Sequence, residues 1–148
     1  MTNHLNLSGN KIVSVIGLEN MTHNLNLAIN NIIDISPLVN MIHHLNLSGN
    51  KIIDYSVLVN MIYSLYLSGN KIANLPFLKN LLYDVDLSYN HIVNVYNLRN
   101  ITHLLDLSYN KIVDISFLIS IVHDLNVSHN KLVNTPLLVK MIYNFNLS

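Results

Sequence analysis

The stretch Ile32–Ile52, IIDISPLVNMIHHLNLSGNKI, decides the fold. In its second half Leu45 and Leu47 stand two apart, so in an extended strand both side chains fall on one side and Asn46 on the other. The leucines are expected to face a core and Asn46 to face outward. Asn50 follows where the strand turns inward and its backbone leaves the ladder. A buried side-chain amide, offering one acceptor and two N–H donors, can replace the lost partners there.

Working outward, this unit recurs along the whole chain of 148 residues with a period of 20 and no slip. The asparagine returns as Asn10, Asn30, Asn50, Asn70, Asn90, Asn110 and Asn130, each preceded by an apolar-x-apolar pair such as Leu105-Asp106-Leu107. These seven residues are read as a structural ladder, one amide per turn. Ile12, Ile32, Ile52, Ile72, Ile92, Ile112 and Leu132, with the unbroken leucine column from Leu18 to Leu138, complete the core. A short fixed period of this kind marks a solenoid, in which each unit buries its apolar side only against its neighbours. Successive strands run the same way after a crossover, so they are expected to pair in parallel and coil to the right. Residues 1–148 read as one domain of about seven repeats.

The spacing Ile42-x-x-Leu45-x-Leu47-x-x-Asn50-x-Ile52 resembles the leucine-rich-repeat signature. The segment Asp34-Ile35-Ser36-Pro37-Leu38, echoed in part by Asp114-Ile115-Ser116-Phe117-Leu118, is similar to the convex segment of the internalin-like subfamily. The resemblance covers essentially the whole chain. It implies an α/β horseshoe with a parallel sheet on the concave face, short helices or 3-10 turns on the convex face, and recognition on the sheet. The repeat is shorter by two residues than is usual in that subfamily, which trims a convex turn and is expected to alter the curvature.

On the return side, Ser36-Pro37 reads as a helix N-cap followed by proline at the first helical position, with Leu38, Met41 and Ile42 at helical spacing. Ser56 and Ser116 are placed to cap in the same way, while Pro76 and Pro136 occupy the capping column and favour an extended or tight turn. The array starts almost on a strand motif and stops at Phe145-Asn146-Leu147-Ser148 without visible polar caps. Solenoids normally cover their terminal cores, so a fragment, an end-to-end oligomer and imperfectly covered ends all stay open as readings.

Function is sought on the outward strand columns, which vary while the inward ones do not. One column reads His4, Asn24, His44, Ser64, Asp84, Leu104, Asp124 and Asn144, and the next Asn6, Asn26, Asn46, Tyr66, Asp86, Asp106, Asn126 and Asn146. The candidate partner-binding residues are His44, Asn46, Tyr66, Asp84, Asp86, Asp106, Asp124 and Asn126. Acid gathers in the later strands. Strands about 4.8 Å apart would make Asp86 and Asp106 repelling neighbours, a repulsion that a basic partner relieves. Against this stands the plain reading that short polar residues merely solvate the face.

Other chemistries are less well served. His23, His43, Tyr63, Tyr83, His103, His123 and Tyr143 form a column before the strands, where His103, His123 and Asp124, or His23, His43 and His44, offer metal-ligating types. Rings lining a turn explain the column more simply, and charging of its histidines is expected to lower stability below about pH 6. Lys11, Lys51, Lys71, Lys111 and Lys131 make a stripe that invites nucleic acid, but the net charge is zero, and ion pairs with Asp54 and Asp114 suit a solvated edge. No phosphate loop, nucleophile elbow or helical His-Glu-x-x-His pair occurs, so no enzyme, cofactor or metal is expected. No cysteine is available for disulfides or thiolate sites. Without a signal-like start or a long apolar run, the chain reads as cytoplasmic and bound to neither membrane nor nucleic acid. The expected role is a protein-interaction scaffold, with a structural spacer or end-to-end homo-oligomer as the rival and histidine-based metal binding behind both.

Overall fold

The computed structural model describes residues 4–75, 78–118 and 123–133, together with the backbone of Asn144–Asn146. Pro76, Leu138, Pro136 and Tyr143 of the expected core, capping and ring columns lie outside these residues.

Eight short strands form one sheet in chain order, every pair parallel. They are β1 (His4–Asn6), β2 (Asn24–Asn26), β3 (His44–Asn46), β4 (Leu65–Tyr66), β5 (Val85–Asp86), β6 (Leu104–Asp106), β7 (Asp124–Asn126) and β8 (Asn144–Asn146). The register equals the sequence period, setting Leu5 beside Leu25, Leu45 beside Leu65 and Val85 beside Leu105. Strands this short pair weakly, and the coils are held mainly by what they enclose. Leu45, Leu47, Ile52, Leu58 and Met61 in one coil are buried against Leu65, Leu67, Ile72, Leu78 and Leu81 in the next. Each such side chain withdrawn from water is worth about 1.5–3 kcal/mol before the cost of ordering the chain.

The asparagine column lies inside, as the period implies. Asn30, Asn50, Asn70, Asn90 and Asn110 are buried, Asn130 is half-buried, and Asn10, with no described coil before it, is exposed. Asn90 illustrates the arrangement. Its Nδ2 donates to the carbonyls of Leu67, Leu87 and Ser88, all at 3.0 Å, and its Oδ1 accepts from the N–H groups of Ile72 (2.8 Å) and Asn70 (3.2 Å). One amide thus ties its own turn to the coil before it.

Of the short helices or 3-10 turns expected on the return side, the described residues form the latter, and the expected capping by serine is not found. The turns lie at Ser36–Leu38, Ser56–Asn60, Tyr96–Leu98 and Ser116–Leu118. Ser36 begins its turn and makes no capping bond. The capping role falls to the residue two before: Asp34, Asp54, Asn94 and Asp114 each accept, through Oδ1, the N–H of residue 36, 56, 96 or 116 at 2.8 Å. A 20-residue coil leaves room for one tight turn here, and a turn this short is closed by an Asx side chain.

Candidate functional site

The face opposite the core is a strip of eight parallel strands presenting the two outward columns in register. Asn46 sits beside Asn26 and Tyr66, Asp86 between Tyr66 and Asp106, and Asp124 between Leu104 and Asn144. All eight candidate residues lie on this one surface. His44 is exposed, while Asn46, Tyr66, Asp84, Asp86, Asp106, Asp124 and Asn126 are half-buried.

Four of these candidates share a second task, and Asp84 Oδ1 separately accepts the Leu104 N–H at 3.3 Å. Asn46, Asp86, Asp106 and Asn126 each accept, through Oδ1, the N–H of the residue two ahead: Ser48 (3.0 Å), Ser88 (2.9 Å), Ser108 (2.8 Å) and Ser128 (3.1 Å). Ser88 and Ser108 add their hydroxyls to the same oxygens at 2.7 Å. Each of these four strands is therefore closed by an Asx turn, which gives the Asp86 and Asp106 carboxylates hydrogen-bond donors within the chain. The second oxygen of Asp106 also accepts from Asn126 Nδ2 at 3.0 Å. Tyr66 cannot make this turn, and there Ser68 bonds Ser88 instead, hydroxyl to hydroxyl, at 2.9 Å. Burial raises the pKa of the Tyr66 hydroxyl, the charges of Asp84 and Asp86 add to the rise, and a hydrogen bond with Ser64 opposes it.

Two aromatic stacks border the strip. Before the strands, His23, His43, Tyr63 and Tyr83 stack with centroids 4.5, 4.7 and 5.2 Å apart, and the run continues through His103 to His123. After the strands, Tyr89 and Tyr109 stack at 4.2 Å, and Tyr109 and His129 at 4.1 Å. The second stack went unread in the sequence, although the residues recur at the repeat spacing. Its members occupy the column of Gly9, Gly49 and Gly69, and like them have positive φ, 54° to 55°. A second asparagine series was also missed. Asn40, Asn60, Asn80 and Asn100 donate through Nδ2 to the carbonyls of Glu19, Val39, Val59 and Lys79, tying the convex side coil to coil.

Metal chelation by the ring column finds no support in its geometry. The nitrogens of face-to-face rings lie in parallel planes and do not converge. Among the described residues no three histidine or acidic side chains gather as a metal site. Nor do lysines pair with Asp54 and Asp114 among the described residues; those carboxylates accept from the Ser56 and Ser116 N–H groups. No helix among the described residues is long and apolar enough to cross a membrane.

No family model matches the chain, and comparison with curated proteins finds no match. Solved structures do resemble it. An internalin from Listeria monocytogenes superposes with a TM-score of 0.71 at 24% identity, over 99% of this chain and 54% of its own. An internalin C2 from the same organism gives 0.65 at 23% identity, over 99% and 80%. A leucine-rich-repeat protein of Leptospira interrogans gives 0.72 at 24% identity, over 97% and 42%. The chain thus spans about half the length of the first internalin. At these identities the likeness establishes the fold, a leucine-rich-repeat solenoid of the kind found in internalins.

Proposed function

We propose that this leucine-rich-repeat solenoid is an interaction scaffold that docks a protein or peptide on its sheet face, with the acidic later strands as the centre of contact. The observation that carries the reading is the juxtaposition on one strip of Asp84, Asp86, Asp106 and Asp124 with Tyr66 and Leu104, bordered by stacked rings on both sides. Aromatic groups supply contact area at low entropic cost, and unlike charge steers encounter. A cationic side chain laid across the strip meets carboxylates and ring faces together. The partner is therefore read as basic.

The test removes charge while keeping the turns. Asparagine already fills the Asp86 column at Asn26, Asn46 and Asn126 and closes the same turns there. A variant carrying D84N, D86N, D106N and D124N is expected to keep its melting temperature and to lose the partners captured by the parent chain at low salt. Retention of the same partners by the variant removes the acidic strip from the interface. Light scattering over a range of concentrations addresses the rival reading, because mass that grows with concentration favours end-to-end association.

A further inference from the structure

The ladder on the return side is broken once among the described coils. In five of the six coil-to-coil steps the residue after the ladder asparagine donates its N–H to an isoleucine carbonyl one coil back: Asn31 to Ile12, Lys51 to Ile32, His91 to Ile72, Lys111 to Ile92 and Lys131 to Ile112. The same isoleucines donate their own N–H groups to the Oδ1 of Asn30, Asn50, Asn90, Asn110 and Asn130. At the step from the third coil to the fourth neither bond forms. The Tyr55 hydroxyl donates to the Ile52 carbonyl at 3.2 Å and lies 3.5 Å from the Asn70 carbonyl. Asn70 Oδ1 keeps the Asn50 N–H but lacks the Ile52 N–H, and Lys71 has a φ of 63°.

Tyr55 is the cause that the column supplies. Its equivalents among the described residues are Val15, Ile35, Leu75, Val95 and Ile115, all aliphatic and buried. Next to it opens a cavity of about 630 Å³, lined among others by Lys51, Ile52, Ile53, Lys71 and Ala73. Two backbone donors, the N–H groups of Ile52 and Lys71, have no hydrogen-bond partner among the described residues, while the nearby Ile52 carbonyl is already engaged. Both N–H groups belong to residues that line the cavity, the exposed Lys71 among them, and no acidic residue in that lining pairs with them or with Lys51 and Lys71.

We propose that this cleft binds a small carboxylate on a short aliphatic stem, with the carboxylate held by the Ile52 and Lys71 N–H groups and the Lys51 and Lys71 ammonium groups, and the stem against Ile53 and Ala73. The site is separate from the sheet face and does not rest on its proposed role. A free branched-chain acid and the C-terminus of a peptide ending in leucine present the same group.

Heteronuclear NMR titration of the whole chain with 4-methylpentanoate, with an N-acetylated tripeptide ending in leucine, and with the amide of each tests this. Saturable shifts centred on residues 50–55 and 70–74 are expected for one or both acids, the responding acid identifying the source, and none for the amides. Y55L restores the aliphatic column. It is expected to close the cleft, re-form the Lys71 to Ile52 bond, slow exchange of the Lys71 amide and abolish binding. The double variant K51A and K71A, which leaves the core untouched, is expected to weaken binding about tenfold or more. Equal response to acid and amide, no saturable response to either acid, or full binding by the double lysine variant overturns the proposal.

Discussion

Replacing Asn90 by alanine isolates the worth of one rung of the ladder. The side chain is 4% exposed and makes five hydrogen bonds. They are not equal losses. The Leu67 carbonyl keeps Asn70 Nδ2 as a donor, the Leu87 carbonyl keeps Asn110 Nδ2, and the Ser88 carbonyl keeps the Gly69 N–H. The N–H groups of Ile72 and Asn70 have Asn90 Oδ1 as their sole acceptor. Two orphaned buried donors at about 1–3 kcal/mol each put the expected cost near 4 kcal/mol, a large part of a typical domain's stability.

The control is Asn10→Ala. Asn10 is exposed and donates only within its own turn, to the Leu7 and Ser8 carbonyls, so its loss is expected to cost about 1 kcal/mol or less. Urea unfolding followed by circular dichroism measures both, and hydrogen exchange localises the damage, since each coil contacts only its neighbours. The Ile72 amide is expected to lose protection in Asn90→Ala, while the Ile112 amide keeps it. If the two variants differ by less than about 0.5 kcal/mol, the carbonyl contacts rather than the orphaned donors set the ladder's strength, and the accounting fails.

Ile29 is 69% exposed and sits at a φ of 55°, a conformation that costs a β-branched residue about 1–2 kcal/mol. Ile29→Gly, matching Gly49 one coil on, is expected to raise stability by about 0.5–1 kcal/mol after the added freedom of the unfolded chain, read as a higher melting temperature. Asp86→Ala is expected to cost about 1–2 kcal/mol because the Ser88 N–H and hydroxyl lose their acceptor, whereas Asp86→Asn leaves stability within about 0.5 kcal/mol in the same urea assay. The pKa of His43 is lowered by partial burial first, then by His23 and His44. Its contribution to stability is thus complete above its ordinary value of about 6.5 and is lost as pH falls through the lower folded value. A melting temperature measured against pH is expected to drop across that window in the parent chain and to flatten in His43→Tyr, which takes the residue found at Tyr63.

The fold was legible because one period governs two kinds of position that physics separates sharply. Leucines two apart and an amide at the bend each have only one inexpensive environment, so Leu45, Leu47 and Asn50 could be placed inside without a neighbour in view. Ser36 was misread because serine before proline suits a helix start, and the length of the turn, which hands the cap to Asp34, is not written in those two residues. For the strip, alternation put Asp86 and Asp106 outward but could not say that the strand ends there and lets each carboxylate curl onto the serine two ahead. The Asx-x-Ser spacing at Asn46-x-Ser48, Asp86-x-Ser88, Asp106-x-Ser108 and Asn126-x-Ser128 carried that signal, and its lapse at Tyr66 marks where the column is released from turn duty. Tyr55 is the opposite case. One ring in a column without another aromatic is visible at once, but what it displaces depends on where its hydroxyl lands, and only the fold places that oxygen on the Ile52 carbonyl. In a solenoid, then, repeated residues report the scaffold, and the positions to examine for chemistry are those where a column changes type and the coil-to-coil bonding changes with it.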